Sequence, residues 1–411
     1  MSAGPAHLSG TPGDRLAAAG AAGLRKAGAV LGAAGAALCL LALFVGSDAA
    51  RRFSFAYLCG ALFLWAVVLG SLFVVALQHI TGAVWSIVIR RVAEMFAAAI
   101  GLVALLFLPV LAAALLGPRA GLFPWADPEI VRGDHLIEMK RAYLNVPFFL
   151  ARSALFFALW IAYERWIVGR SLRQESAAGG QETLRAARRA SGHFMIVFAL
   201  SVTFAAIDWM MSLEPRWFST LYGVYVWSGM VPAALAAITL AVLWLRRAGL
   251  LGDGLVRPDH LYNLGALLFA FVCFWGYLAA SQFMLIWYAN LPEESIFYVA
   301  RMGPGWAAVS VALPVLRFAV PFLLLLPRRA KMSPRVLAVA SLLVLAGQWL
   351  DLYWLVMPHF AAGAPVFGWQ EFGPVLLMTG VLLLWAGRFV GKHAMLPAWD
   401  PKFDLSRDFH L

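Results

Sequence analysis

Two aspartates stand inside apolar stretches of this chain and are followed by the same punctuation. Asp208-Trp-Met-Met-Ser-Leu-Glu-Pro215 and Asp351-Leu-Tyr-Trp-Leu-Val-Met-Pro358 both read D-x6-P. A carboxylate within a membrane helix costs roughly 2.5–3.5 kcal/mol on insertion scales, so each is a candidate for function rather than decoration. Two chemistries suit such an acid. It can neutralise a buried cation, since ionised partners offset one another where a lone charge would be far costlier. It can also bind and release a proton, with arginine, water and polar neighbours tuning its acidity. A cation is at hand for each: Arg152 and Arg317 lie on the helices preceding those of Asp208 and Asp351.

The elements that hold these residues are membrane helices. The chain is 63% hydrophobic and 13% charged, with 17 Trp among 411 residues, whereas soluble domains carry about 25% charged residues. Runs of about 20 apolar residues mark spans. The sequence predicts ten, near 27–47, 53–78, 92–116, 146–168, 192–213, 217–245, 261–289, 304–326, 336–357 and 372–391. The fold class expected is therefore all-α and polytopic. Residues 1–26 and 392–411 are read as tails flanking a membrane domain over 27–391. The first hydrophobic segment is read as a retained span rather than a cleaved signal.

Charge orients the spans. With the N-terminus inside, 22 of the 32 Lys and Arg fall in inner loops or tails and eight in outer ones, with Arg152 and Arg317 inside helices. This bias predicts that both termini are cytoplasmic. The net charge of +11 then reflects inner loops facing an anionic lipid leaflet, and needs no nucleic acid to explain it.

The acids sit at equivalent places in a repeat. Spans two to five (about 53–213) and six to nine (about 217–357) form two four-helix blocks with flanking helices. In each, a histidine marks the inner turn between the first two helices (His79 or His260). The third helix carries the arginine and the fourth the aspartate. Four crossings return the chain to the same side, so the blocks are expected to be parallel repeats about an axis normal to the membrane.

Further groups extend the possible proton path. His79, Arg90, Arg91 and Glu94 cluster at the turn joining spans two and three. Glu94 equally suits a helix N-terminus paired with Arg90 or Arg91. His260, beside Tyr262, is the second-block counterpart of His79, and His193 and Gln348 add polarity to ascending helices. Gln282, Trp287 and Tyr288, at the end of span seven, combine a hydrogen-bonding group with flat apolar walls, as a quinone pocket requires. An interfacial aromatic belt has the same composition. No histidines pair on facing mid-membrane helices as haem ligands would. Cys39, Cys59 and Cys273 show neither disulfide nor metal-binding spacing, so no resident metal is expected. No phosphate-binding glycine loop occurs in the inner linker 174–181.

Five segments carry a family resemblance. Val75-Ala-Leu-Gln-His-Ile-Thr-Gly82, Ala142-Tyr-Leu-Asn-Val-Pro-Phe-Phe149, Thr203-Phe-Ala-Ala-Ile-Asp-Trp-Met-Met-Ser-Leu-Glu-Pro215, Ser281-Gln-Phe-Met-Leu-Ile-Trp-Tyr-Ala-Asn-Leu-Pro-Glu-Glu294 and Trp349-Leu-Asp-Leu-Tyr-Trp-Leu-Val-Met-Pro358 resemble the ActF-type subunits of bacterial alternative complex III. These belong to the polysulfide-reductase membrane-subunit (NrfD-like) family, and the resemblance covers about residues 50–360. It implies ten helices in two four-helix bundles, in the bacterial inner membrane, within a quinol:cytochrome c oxidoreductase of a respiratory or photosynthetic chain. Haem c and iron–sulfur clusters would reside in partner subunits: a multihaem cytochrome c, an iron–sulfur subunit and the NrfD-like ActC. The chain itself would carry no redox cofactor and contribute proton translocation and scaffolding, with a quinone-binding role as the alternative. The residues it singles out for the path are Asp208, Asp351, Arg152, Arg317, His79 and Glu94. Outside that family, a secondary transporter also uses repeats and midplane charges.

Overall fold

A computed structural model describes residues 12–46, 48–174, 180–252 and 254–410, with side chains from residue 18 onward. Among the described residues there are ten helices long and apolar enough to cross a membrane. They are α1 (Ala18–Ala42), α2 (Ala49–Thr81), α3 (Ile87–Arg119), α4 (Val146–Arg173), α5 (Gly180–Leu213), α6 (Tyr222–Arg247), α7 (Pro258–Ala289), α8 (Trp306–Leu325), α9 (Pro334–His359) and α10 (Trp369–Lys392). The chain is an all-α integral membrane protein. Most of the inner linker read at 174–181 lies outside the described residues, as do residues 1–11 of the N-terminal tail.

Local sequence fixes the helix ends. Asn145 is extended, and its Oδ1 accepts the Phe148 N–H at 3.0 Å with Pro147 in the first turn, so α4 starts there. Gly82 closes α2 at φ +62°, a left-handed value that costs glycine nothing. Asn290 ends α7 at φ +47° ahead of Leu291-Pro292, and asparagine is the non-glycine residue that tolerates this best.

Burial separates the helices into layers. The apolar windows of α2 and α6 are 94% and 78% buried, those of α1 and α8 only 22%. A helix apolar all round belongs in the middle of a bundle, and α2 and α6 pack on each other at the centre. Around α2 stand α3, α5 and, more distantly, α4. Around α6 stand α7 and α9, with α8 against α9. The two four-helix blocks are therefore two bundles that share the α2–α6 contact.

The flanking helices form a unit of their own. α1 and α10 run antiparallel at backbone contact: a Cβ on Gly35 would fall 2.2 Å from the Leu377 nitrogen, and one on Gly380 2.2 Å from that of Gly32. Between membrane helices this close packing replaces the missing hydrophobic drive. α10 in turn packs on α2.

Neither chain end is a free tail where it is described. At the N-terminal end, the helix of α1 extends back to Pro12. Beyond α10, the segment 393–410 folds back under the bundles. Asp400 and Ser406 are buried, with Asp400 bound to Arg90 and the Ser406 hydroxyl bonded to the Trp85 carbonyl. We call the side that carries this segment the terminal face and the other the far face.

Candidate functional site

Each aspartate meets the arginine of its own bundle. In the first bundle, Arg152 Nε donates to Asp208 Oδ2 at 2.7 Å and Nη2 donates to Oδ1 at 3.0 Å. This two-pronged geometry is the strongest form of the contact. The remaining Nη1 donates to the Tyr143 carbonyl at 3.0 Å. Tyr143 and Phe148 stack on the guanidinium, 3.8 and 4.2 Å from its carbon. Apart from Asp208, the arginine is held by residues within nine positions of itself.

In the second bundle the arginine is held by distant segments. Arg317 lies in a π-helical turn, Val315–Ala319, where the Val320 N–H bonds back to the Val315 carbonyl. The cause is local. Pro321 lacks the N–H that would bond the Arg317 carbonyl in an α-helix, and such π turns recur at functional positions. Arg317 Nη1 pairs with Asp351 Oδ2. Its Nη2 donates to the Gly229 carbonyl at 3.0 Å and to Gln348 Oε1. The Tyr225 hydroxyl donates to Asp351 Oδ1 at 2.5 Å, and the Trp275 ring lies 4.4 Å from the guanidinium carbon. Two glycines make the space. A Cβ on Gly229 would fall 2.5 Å from Arg317 Nη2, and one on Gly347 2.7 Å from Arg317 Cβ.

A matching device braces each D-x6-P segment at the far face. Lys140, in the loop before α4, donates to the carbonyl of Pro215. Arg301, in the loop before α8, donates to the Trp354, Phe297 and Leu355 carbonyls at 2.9, 2.7 and 2.8 Å. Cations at a helix C-terminus offset the partial negative charge of its free carbonyls. Arg301 is 1% exposed, and among the described residues no carboxylate lies within salt-bridge distance of it. Burial pushes its pKa down to about 10, and burial also lowers that of Lys140. In sequence, Arg301 is one of the eight outer-loop basic residues. The signal for its role was its place, matching Lys140, ahead of the arginine-bearing helix.

The terminal-face cluster also forms. Glu94 accepts Arg91 Nη1 at 2.7 Å and the Ser171 hydroxyl at 2.8 Å, with Arg90 Nε at 3.5 Å. Arg90 Nη2 reaches on to Asp400 at 2.8 Å, a partner that a reading of residues 392–411 as a tail missed. His79 lies beside this cluster, buried, with no partner for Nε2. His260 is arranged differently. Its Nδ1 accepts the Arg257 N–H at 3.0 Å and its Nε2 faces the Ser406 carbonyl at 2.9 Å, so the ring caps α7 and ties down the C-terminal segment.

What lies between the two faces differs between bundles. In the first, Ser171 and Arg152 are 19 residues apart on α4, about 28 Å along its axis. The interval holds Trp65, Trp160, Trp209, Phe107 and Phe157 in mutual ring contact. Trp160 donates to Ser201 at 2.8 Å and Trp209 to Ser153 at 3.0 Å, while the buried Trp65 Nε1 has no partner. In the second, Asp351, Gln348 and Ser341 follow one another down α9, and Ser341 Oγ is fully buried without a partner. The ten residues from Asp351 to Ser341 cover about 15 Å toward the terminal face.

The quinone candidates do not converge. Gln282 is buried with its Oε1 unpartnered, whereas Trp287 and Tyr288 are 64% and 86% exposed, as interfacial aromatics are. A cleft of about 430 Å3 opens between α7 and α8 nearby. Trp275, Phe283, Tyr298, Pro314 and Phe318 wall it, and Tyr225 lines its depth. Among the described residues no three His, Cys, Asp or Glu side chains gather as a metal site, and all three cysteines are free thiols.

No protein-family model and no curated protein matches the chain.

Proposed function

We propose that this chain is a membrane subunit of a quinol-oxidising electron-transfer complex of the alternative complex III type, and that its second bundle carries a proton half-path. The observation behind this reading is the setting of Asp351. A buried acid bonded to a tyrosine hydroxyl and an arginine, with Gln348 and Ser341 leading away along one helix, has the parts of a proton relay. The five motif resemblances support the assignment to that type of complex. The redox centres, haem c and iron–sulfur clusters, belong in this reading to the partner subunits, including an NrfD-like ActC. The membrane in this reading is the bacterial inner membrane, and the excess of basic residues supports a cytoplasmic terminal face.

The α7–α8 cleft supports a second role within the same complex. Its apolar aromatic walls and the Tyr225 hydroxyl at its depth suit a quinone headgroup, which would then sit one hydrogen bond from Asp351.

Purification of the native complex, with subunit identification and haem measurement, tests the assignment. Copurifying haem-bearing partners support it. An isolated chain that accumulates a solute in liposomes would favour a transporter instead. Within the complex, Asp351→Asn is expected to reduce proton release per electron at least severalfold while the subunits stay assembled. Unchanged proton release in that variant would remove the relay.

A further inference from the structure

We propose that the terminal face carries a binding site for a phosphate group, with an anionic phospholipid headgroup as its occupant. The site is the cavity of about 490 Å3 between the α2–α3 turn, the start of α5 and the C-terminal segment. Four cations line it: Arg90, Arg185, Arg188 and Lys402. The carboxylate in its wall is Asp400, and both its oxygens are engaged, Oδ2 by Arg90 Nη2 at 2.8 Å and Oδ1 by the Lys402 N–H at 2.9 Å. Positive charge is therefore left over. No described carboxylate comes within salt-bridge distance of Arg185 or Arg188, and both side chains are exposed.

Two buried polar groups point to a ligand independently of this charge. Gln78 and His79 line the same cavity, are 7% and 9% exposed, and leave Gln78 Oε1 and His79 Nε2 without a hydrogen-bond partner. Buried polar atoms in proteins are nearly always paired. A neutral imidazole with its proton on Nε2 donates one hydrogen bond. The amide, whose nitrogen and oxygen exchange by a half-turn, donates another. Two neutral donors at the base and a rim of guanidinium and ammonium groups match a phosphate's oxygens. The cavity opens where the helices leave the bilayer, at the level of lipid headgroups, and basic pockets between membrane helices take acidic headgroups there. This inference is independent of the proton reading.

Native mass spectrometry of the full chain, purified in detergent and exchanged with cardiolipin, phosphatidylglycerol or phosphatidylcholine, tests it. The wild type is expected to retain an anionic lipid, and Arg185→Gln/Arg188→Gln/Lys402→Gln to lose it by roughly tenfold or more. Arg328→Gln/Arg329→Gln, which removes two other basic residues between α8 and α9, is expected to retain it. Inorganic phosphate separates the sources. If it fails to compete, the headgroup within its membrane is recognised. If it displaces the lipid and raises thermal stability only when the three basic residues are present, the site takes free phosphate too. Equal retention by the triple variant, or equal loss in the control variant, would overturn the proposal by reducing the cavity to general surface charge.

Discussion

The two arginine–aspartate pairs have the same partners and opposite surroundings. Arg152 is clamped by its own neighbourhood, Tyr143 and Phe148, and below it the first bundle is plugged by tryptophan and phenylalanine rings. Arg317 is clamped by groups 30 to 90 positions away, Gln348 and Gly229, through a π turn and two glycine gaps, with a polar line continuing beneath Asp351. The ion pair occurs twice, set once among rings and local residues and once among distant polar groups. Both pairs have an unfilled hydrogen-bonding position close by, the Tyr143 hydroxyl at the first and Arg317 Nε at the second, so the difference lies in what continues away from each pair. The comparison is what favours the second bundle in the proposed proton half-path, with the first as its tightly packed counterpart.

The largest effect should come from stranding a charge. Asp351→Leu leaves Arg317 buried without its anion and is expected to destabilise the purified protein by about 3–5 kcal/mol. Asp208→Leu should cost roughly half as much, because the guanidinium keeps its aromatic sandwich. Thermal unfolding in detergent measures both, and equal losses would erase the distinction between the pairs. Restoring neutrality with Arg317→Met in the Asp351→Leu background should recover much of the loss.

Next in size is Gly229→Ala. The added methyl would overlap Arg317 Nη2, and overpacking of this kind costs about 1–3 kcal/mol. The first bundle has no glycine against the Arg152 guanidinium among the described residues, so no single alanine should do the same there. Tyr225→Phe is of similar size. It deletes one hydrogen bond to a charged acceptor, about 1.5–3 kcal/mol at most, and should slow proton release more than it lowers stability. The reverse order, stability lost and proton release intact, would make Tyr225 a packing residue.

The smallest effect is expected at the far-face surface, where Arg216 Nε meets Asp134 at 2.5 Å in water. The arginine holds the Asp134 carboxyl below its ordinary value near 3.8. The sign follows: the contact contributes above that value and fades as pH falls below it. Arg216→Ala should shift the acid limb of a stability–pH curve barely, if at all, since exposed pairs contribute little.

Much of this was legible in the sequence. Apolar run length gave ten spans, and the matched D-x6-P segments with one arginine on each preceding helix gave both ion pairs. The first span was read too late, at 27 rather than 18, because its alanines and glycines are weakly apolar. Those same glycines are what bind α1 to α10, and a backbone contact between helices 350 residues apart leaves no periodic trace in either. The roles of Arg301 and Asp400 were hidden for one reason: loop and tail positions say nothing of burial, and here the chain folds back over both. The difference between the bundles was hidden because it rests on what fills the space between residues, and a serine with no partner looks in sequence like a serine with one.

The π turn at Val315–Ala319 has a consequence for helix register. Such a turn holds one residue more than the α-helical turn it replaces, so it resets the face on which the residues beyond it lie. Removing one residue there, Val315 for instance, would rejoin the α-helical register and swing Arg317 by about 100° around the helix, away from Asp351. A single residue of helix register, with no change of charge, thus decides whether the arginine meets its aspartate.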